Sequence, residues 1–146
     1  MYVIVDVSNY CKCVCVDNNK DVVMEKSYKI LVIDDSPFVF KSVKKALEPY
    51  GFLVEDNAIN GKIGQEVYEK SRPDVVILDI TMPVMDGLET AKALFTKNPG
   101  IKIVMLSARR DEVLISQAKN LGIKQFVQKP FKNEELHSAV KNILGN

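Results

Sequence analysis

Three aspartates that follow short aliphatic runs are the side chains of this sequence best suited to chemistry. Asp34 and Asp35 come after residues 30–33, and Asp79 comes after residues 75–78. Runs of four aliphatic residues are typical of strands buried on both faces of a parallel sheet, and such sheets bind ligands beyond the carboxyl ends of their strands. Neighbouring strands lie only about 4.8 Å apart, so pairing of these two strands would crowd three negative charges. The pattern predicts a bound cation, and we expect Mg²⁺.

Ser107 and Lys129 extend this set, because each also ends an apolar segment that reads as a strand. Taken singly, a turn explains Ser107, a solvated surface charge explains Lys129, and a helix start explains the Asp34-Asp35 pair. Asp79 has no helix directly after it to cap. Together, a carboxylate nucleophile, a cation site, a hydroxyl and an amine at one edge of a sheet are the groups that phosphoryl transfer requires.

Five βα units would position these residues. From Lys29 onward, short apolar runs alternate with amphipathic segments of helical length, which is the pattern of a parallel sheet covered by helices. The predicted strands are Lys29 to Asp34, Phe52 to Asp56, Asp74 to Asp79, Lys102 to Ser107 and Gln125 to Gln128. The predicted helices run from Ser36-Pro37 to Gly51, then over Lys62 to Ser71, Gly87 to Lys97, Arg110 to Asn120 and Asn133 to Leu144. We expect the Ser36 hydroxyl to cap the first helix and Asn133 to cap the fifth.

Composition limits the class of protein. With 146 residues, of which 47% are hydrophobic and 27% charged, the chain suits one globular domain. A net charge of +1 gives no overall attraction to nucleic acid or anionic membranes, so neither is an expected direct partner. No apolar stretch approaches the roughly 20 residues that span a bilayer, and Tyr2 to Val5 is too short for a signal peptide. We therefore expect a cytoplasmic protein without membrane insertion.

Residues 1–27 do not fit the βα pattern. Tyr2 to Val7, Cys11 to Val16 and Val22 to Met24 alternate like short strands, with a turn at residues 17–20, and predict a small hairpin. Cysteines 11, 13 and 15 are odd in number and match neither zinc spacing nor a disulfide framework. Met24 is a second plausible start. We predict an N-terminal extension over 1–27 and one domain over 28–146.

The sequence resembles the receiver domains of two-component response regulators, most of all the stand-alone chemotaxis type. The stretches that match are Ile30 to Ser36, Asp79 to Gly87, Ser107-Ala108 and Lys129-Pro130-Phe131. The resemblance implies a doubly wound, flavodoxin-like α/β fold with five parallel strands in the order 2-1-3-4-5. It also implies a signalling phosphoacceptor, not an enzyme, that catalyses its own phosphorylation and dephosphorylation.

The resemblance further implies a role for each site residue. Asp79 would be the phosphoacceptor, and Mg²⁺ would be held by Asp34, Asp35, Asp79 and the backbone carbonyl of Thr81. Lys129 would bind a phosphoryl oxygen, with the following peptide bond to Pro130 in cis.

Ser107 would move toward the phosphoryl group, and Phe126 would occupy the aromatic switch position. Because Phe126 has no hydroxyl, its ring cannot donate a hydrogen bond. Thr81 and Arg109 flank the predicted route of water to the acyl phosphate, and we hypothesise that they set its lifetime.

The phosphoryl group must come from a partner, because Gly61-Lys62 is followed by Ile63 and no Walker A loop is present. The resemblance implies a phosphohistidine on a sensor histidine kinase or a histidine phosphotransfer protein. It places a downstream protein target on the fourth helix, fifth strand and fifth helix. Since only two residues follow Leu144, we expect no attached output domain.

Three alternatives stay open. The chain could be the receiver of a longer regulator with a transcriptional or enzymatic output. An aspartyl-phosphate phosphatase would also use Mg²⁺, but it resembles Asp-x-Asp, whereas Asp34 and Asp35 are contiguous. A flavin-binding module would need a hydroxyl- and Gly-rich loop where residues 34–37 are Asp-Asp-Ser-Pro.

Overall fold

A computed structural model describes residues 11–14, 23–82, 85–108 and 112–145. The strands β1 (Cys11–Val14) and β2 (Val23–Lys26) form a two-stranded antiparallel sheet, in which Cys11 pairs with Lys26. The predicted strand at residues 2–7 and the predicted turn at residues 17–20 lie outside the described residues. The boundary between an extension and a domain at residue 27 stays a prediction.

Five parallel strands form the main sheet, in the spatial order β4-β3-β5-β6-β7. Counted from β3, this is the order 2-1-3-4-5, and the predicted α/β fold is confirmed. The strands are β3 (Lys29–Ile33), β4 (Leu53–Ala58), β5 (Val75–Asp79), β6 (Ile103–Ser107) and β7 (Gln125–Gln128).

Five helices connect and cover these strands. They are α1 (Pro37–Leu47), α2 (Gly61–Ser71), α3 (Gly87–Lys97), α4 (Glu112–Leu121) and α5 (Asn133–Ile143), and a 3-10 turn over Glu48–Tyr50 follows α1. The α3 and β7 bounds agree with the predictions, as do the starts of β3, α1 and α5 and the ends of β5, β6 and α2. The other described ends differ by one to four residues, and the largest difference is at the end of α1. In the described part of the chain, no helix combines the length and the apolar character needed to cross a bilayer.

Two apolar layers enclose the sheet, which explains the uninterrupted aliphatic runs. Strands β5 and β6 are buried along their whole length, because helices cover both faces. Alternate strand residues face opposite layers: Ile30 and Val32 pack on the side of α1 and α5, while Leu31 and Ile33 pack on the side of α2, α3 and α4.

Two predicted helix caps are wrong. Ser36 occupies the N-cap position of α1, but its hydroxyl makes no capping hydrogen bond. Its backbone N–H instead donates to Asp34 Oδ1 at 2.9 Å. Asn133 is the first residue of α5, and Lys132 takes the N-cap position. The N-cap is the residue with extended backbone angles just before the first helical turn, and these angles cannot be predicted from the residue types alone.

Strand β4 is also longer than predicted, because it runs to Ala58 and not to Asp56. The pairing register with β3 shifts between Ile30 and Leu31, which leaves Glu55 unmatched on β4. A bulge of this kind breaks the apolar alternation from which a strand end is predicted.

Candidate functional site

The strand register brings the predicted site residues to one edge of the sheet. Ile33 on β3 pairs with Leu78 on β5. Asp34 and Asp79 are the residues that come directly after this pair, so they lie side by side at the end of the two strands. On the other side, Asp79 pairs with Leu106. The backbone N–H of Lys129 donates to the carbonyl of Ser107 at 2.7 Å, which fixes the start of the β7–α5 loop beside the end of β6.

The three aspartates lie together as the sequence predicts. Asp34, Asp35 and Asp79 each offer a carboxylate oxygen, and these oxygens lie within 4.8 Å of one another. Asp34 is 1% exposed and Asp79 is 6% exposed, whereas Asp35 faces solvent. Carboxylate oxygens are the donors that a hard cation such as Mg²⁺ prefers, and the exposed third member leaves the cluster open to water. The donor set therefore fits Mg²⁺.

Thr81 lies next to this cluster. Its backbone N–H donates to Asp79 Oδ1 at 3.5 Å, which is a weak bond. The Thr81 backbone therefore lies at the edge of the aspartate cluster. The predicted role of its carbonyl as a metal ligand stays a prediction.

Lys129 reaches two of the carboxylates at once. Its Nζ lies 2.8 Å from Asp34 Oδ2 and 3.2 Å from Asp79 Oδ1. Burial acts to lower the pKa of Lys129, but the hydrogen bond to Asp34 and the charge of Asp79 outweigh it, so that this pKa is raised. The ammonium therefore stays charged. The predicted cis bond between Lys129 and Pro130 is confirmed.

The pKa of Asp79 differs from that of an ordinary surface carboxyl. Burial is the main cause, and the nearby charge of Asp34 adds to it, so that the pKa of Asp79 rises to about 6. The Lys129 ammonium and the Thr81 N–H act in the opposite direction. Near neutral pH and without a metal, Asp79 is thus mostly ionised, but a small fall in pH protonates it. A bound cation would favour the ionised, nucleophilic form.

Glycine lets α3 start directly against the end of β5. A Cβ on Gly87 would lie 2.4 Å from the carbonyl oxygen of Asp79 and 2.6 Å from the Cα of Ile80. The backbone N–H of Gly87 donates to the carbonyl of Ile80 at 3.0 Å. This close approach packs the first residue of α3 against the end of β5, next to Asp79.

Ser107 and Phe126 lie on neighbouring strands beside the carboxylates. Ser107 is 3% exposed, and the ring of Phe126 is partly buried on the layer that contains α4. Phe126 pairs with Met105, and Ser107 pairs with Gln128. The predicted switch roles of both residues stay predictions.

Two contacts near the site were not found from the sequence. Lys119 Nζ on α4 lies 5.8 Å from the ring centroid of Phe126, and Gln65 Nε2 on α2 donates to Met85 Sδ at 3.3 Å. Both depend on how helices pack across the sheet, and spacing in the sequence carries no signal for them. Arg109, named in the hypothesis on phosphoryl lifetime, lies outside the described residues.

Comparisons with known proteins agree with this geometry. Residues 30–141 match the family model of the response regulator receiver domain. Protein CcdB of Bacillus subtilis is 33% identical over 118 residues, which are 81% of this chain and 98% of that protein. Chemotaxis protein CheY of Listeria monocytogenes is 35% identical over 113 residues, which are 77% of this chain and 95% of that protein.

Solved structures give the same result. The CheX-CheY-BeF₃-Mg²⁺ complex from Borrelia burgdorferi contains a chain that matches with a TM-score of 0.76 at 28% identity, over 82% of this chain and 90% of that chain. Because the family model and two curated relatives cover most of its length, this chain belongs to the response regulator receiver domain family.

Proposed function

We propose that this protein is the phosphoacceptor of a two-component phosphorelay and that it takes a phosphoryl group on Asp79. One observation carries the proposal: Lys129 Nζ lies within 3.2 Å of a buried carboxylate, Asp79, that two further aspartates border. An ammonium at this distance can also reach an oxygen of a group attached to the carboxylate. Receiver domains are signalling phosphoacceptors, and their acidic residues typically bind Mg²⁺.

Asp34, Asp35, Asp79 and the carbonyl of Thr81 would hold the Mg²⁺. When bound, Mg²⁺ supplies positive charge that neutralises phosphoryl oxygens and favours the ionised form of Asp79. The residues of the chain support this role, since the oxygens of the three aspartates converge and one of these side chains faces solvent.

Asp79 acts as the nucleophile. A carboxylate oxygen of Asp79 attacks phosphorus, a P–O bond forms, and the P–N bond of the donor phosphohistidine breaks. The leaving imidazole keeps the electron pair of that bond and departs neutral, because its other ring nitrogen carries a proton. Lys129 stabilises charge on the transferred group, and positioning rather than strong nucleophilicity lowers the barrier. Water later attacks phosphorus, the P–O bond to Asp79 breaks, and Asp79 leaves as a carboxylate while inorganic phosphate and a proton pass to solvent.

Exposed apolar side chains around the site support a protein donor. Among the described residues, the large exposed hydrophobic side chains include Phe38 at 77%, Ile59 at 55% and Val113 at 71%. All three lie at or just before the start of a helix. In this fold the helices start at the same edge of the sheet as the one that holds Asp79. This edge is acidic and a phosphorylated donor is anionic, so apolar contact offers affinity that charge does not.

The expected donors are a sensor histidine kinase or a histidine phosphotransfer protein. A cytoplasmic location belongs to the same proposal, as does a downstream protein target on α4, β7 and α5. Ser107 lies on β6, between the strand of Asp79 and β7, and Phe126 lies on β7 itself. Movement of the Ser107 hydroxyl toward the phosphoryl group, accompanied by the Phe126 ring, would shift the surface between two states.

Intact-mass analysis tests the proposal. The wild type, incubated with Mg²⁺ and acetyl phosphate, is expected to gain the mass of one phosphoryl group, and Asp79→Asn is expected to gain none. Equal labelling of both proteins would overturn the assignment of Asp79. Chelation of Mg²⁺ is expected to abolish the wild-type signal.

The main alternative, a receiver within a longer regulator, uses the same site and the same chemistry. An aspartyl-phosphate phosphatase is a weaker alternative, because it would turn over a phosphorylated substrate many times. A receiver is expected to release about one phosphate per phosphorylation, and measuring phosphate release against protein concentration separates the two.

A further inference from the structure

A cation of α4 lies over an aromatic ring of β7. Lys119 Nζ is 5.8 Å from the ring centroid of Phe126, which is within the range of a cation–π contact. Lys119 is exposed in the last turn of α4, and Phe126 is partly buried. Among the described residues, no carboxylate lies within ion-pair distance of Lys119, so the ring is the partner that this part of the structure gives it.

The Phe126 ring shares one face of the sheet with the Ser107 hydroxyl. Ile103 and Met105 pack into the layer of α2, α3 and α4, and side chains alternate along a strand, so Ser107 belongs to the same face. Phe126 packs into that layer as well and pairs with Met105, two residues before Ser107. The ring and the hydroxyl are therefore diagonal neighbours on adjacent strands of this face.

We propose that Lys119 is a positioning residue that acts through Phe126 and sets how readily Asp79 is phosphorylated. The inference rests on the proposed function. The contact with Lys119 stabilises the ring where it lies in the unphosphorylated protein. Any rearrangement in which Ser107 moves toward Asp79 and the ring follows must weaken this contact. Lys119 therefore favours the unphosphorylated state, and its removal favours the phosphorylated state.

The expected size of the effect follows from the strength of the contact. A cation–π pair at an exposed site changes an equilibrium by about two- to five-fold. A ligand that binds one state gains apparent affinity by the same factor when that state becomes more populated. A purely structural role of Lys119, as a cation near the C-terminal end of a helix, would change stability without this linkage.

The test compares Lys119→Met with Lys124→Met, an exposed lysine just before β7 that serves as the matched control. The measurements are the apparent affinity for beryllium fluoride in the presence of Mg²⁺ and the rate of phosphorylation by acetyl phosphate. We expect Lys119→Met to raise both by roughly two- to five-fold, and we expect Lys124→Met to leave both unchanged. Lys119→Arg, which keeps the charge over the ring, is expected to stay near the wild type.

A second comparison isolates the ring. In a Phe126→Leu background, Lys119→Met is expected to have no effect on either measurement, because the acceptor of the contact is gone. The Phe126 ring proton shifts in NMR spectra are expected to change in Lys119→Met and not in Lys124→Met. The same gain with and without the ring, or no gain in Lys119→Met, overturns the role of Lys119. If the wild type takes no phosphoryl group on Asp79, the proposed function fails, and this inference fails with it.

Discussion

The Nζ atom of Lys129 lies 2.8 Å from Oδ2 of Asp34, a residue 95 positions earlier in the chain. The Asp34 side chain is fully buried, whereas 27% of the Lys129 side chain is exposed. A buried carboxylate is costly unless a positive charge or hydrogen bonds compensate it. In the metal-free protein, this ammonium compensates Asp34 and Asp79 together.

Replacing Lys129 by Met should destabilise the metal-free protein. Two buried carboxylates would then face each other without a cation, and we expect the free energy of unfolding at pH 8 to fall by about 2 kcal/mol. Excess Mg²⁺ should recover most of this loss, because it neutralises the same carboxylates. Urea unfolding with and without chelator measures both effects. Lys132→Met, an exposed control, should change little, and an equal loss in both variants would contradict the interpretation.

Asp79 should make the metal-free protein less stable as the pH rises. Its pKa in the folded protein is about 6, against an ordinary value of 3.8. The folded state therefore binds the Asp79 proton more tightly than the unfolded state does. This difference adds to the free energy of unfolding in full below about pH 4, and the added stability is lost as the pH rises through 6. Above that pH, Asp79→Asn should be more stable than the wild type by about 2 to 3 kcal/mol.

Urea unfolding of wild type and Asp79→Asn at pH 4 and pH 8, both with chelator, measures this linkage. The exposed Glu66→Gln variant is the control and should differ from the wild type at pH 8 by much less than Asp79→Asn does. A difference between Asp79→Asn and wild type that is the same at both pH values would contradict the raised pKa.

The positions of Asp79 and Ser107 were predictable because each ends a strand that is buried on both faces. Aliphatic runs report such burial directly, and a parallel sheet brings strand ends to one edge. The contact between Lys129 and Asp34 was predictable only in outline. The sequence places both at that edge, but loop geometry decides which of the three carboxylates the ammonium reaches.

Two features could not be predicted from the sequence: the hydrogen bonding at the start of α1 and the contact between Lys119 and Phe126. At the start of α1, the carboxylate of Asp34 accepts the backbone N–H of Ser36, a local turn that the pattern of residues does not distinguish from a Ser36 cap. The contact between Lys119 and Phe126 depends on where α4 packs against β7. Neither propensity nor periodicity specifies packing of this kind.

Asp35 offers the cleanest test of metal binding, because its carboxylate is exposed while those of Asp34 and Asp79 are buried. Asp35→Asn should fold normally and bind Mg²⁺ roughly tenfold more weakly, since one charged ligand is lost. Calorimetric titration with Mg²⁺ measures the affinity, and the stabilisation of the folded state by Mg²⁺ should fall in step. Glu89→Gln, an exposed acid in the first turn of α3, is the control. Unchanged affinity in Asp35→Asn would remove it from the metal site.

Gly87 should tolerate no side chain, because the obstacle is backbone. A Cβ there would lie 2.4 Å from the carbonyl oxygen of Asp79, so either α3 or the end of β5 must move. We expect Gly87→Ala to lower the free energy of unfolding by about 2 kcal/mol and to reduce phosphorylation of Asp79 by displacing its backbone. Gly100→Ala is the matched control, since the nearest atom to its added Cβ is Asn98 Oδ1 at 3.5 Å, an ordinary contact. Urea unfolding and phosphoryl incorporation, measured on both variants, should separate them, and equal behaviour would show that α3 can shift away from the site without cost.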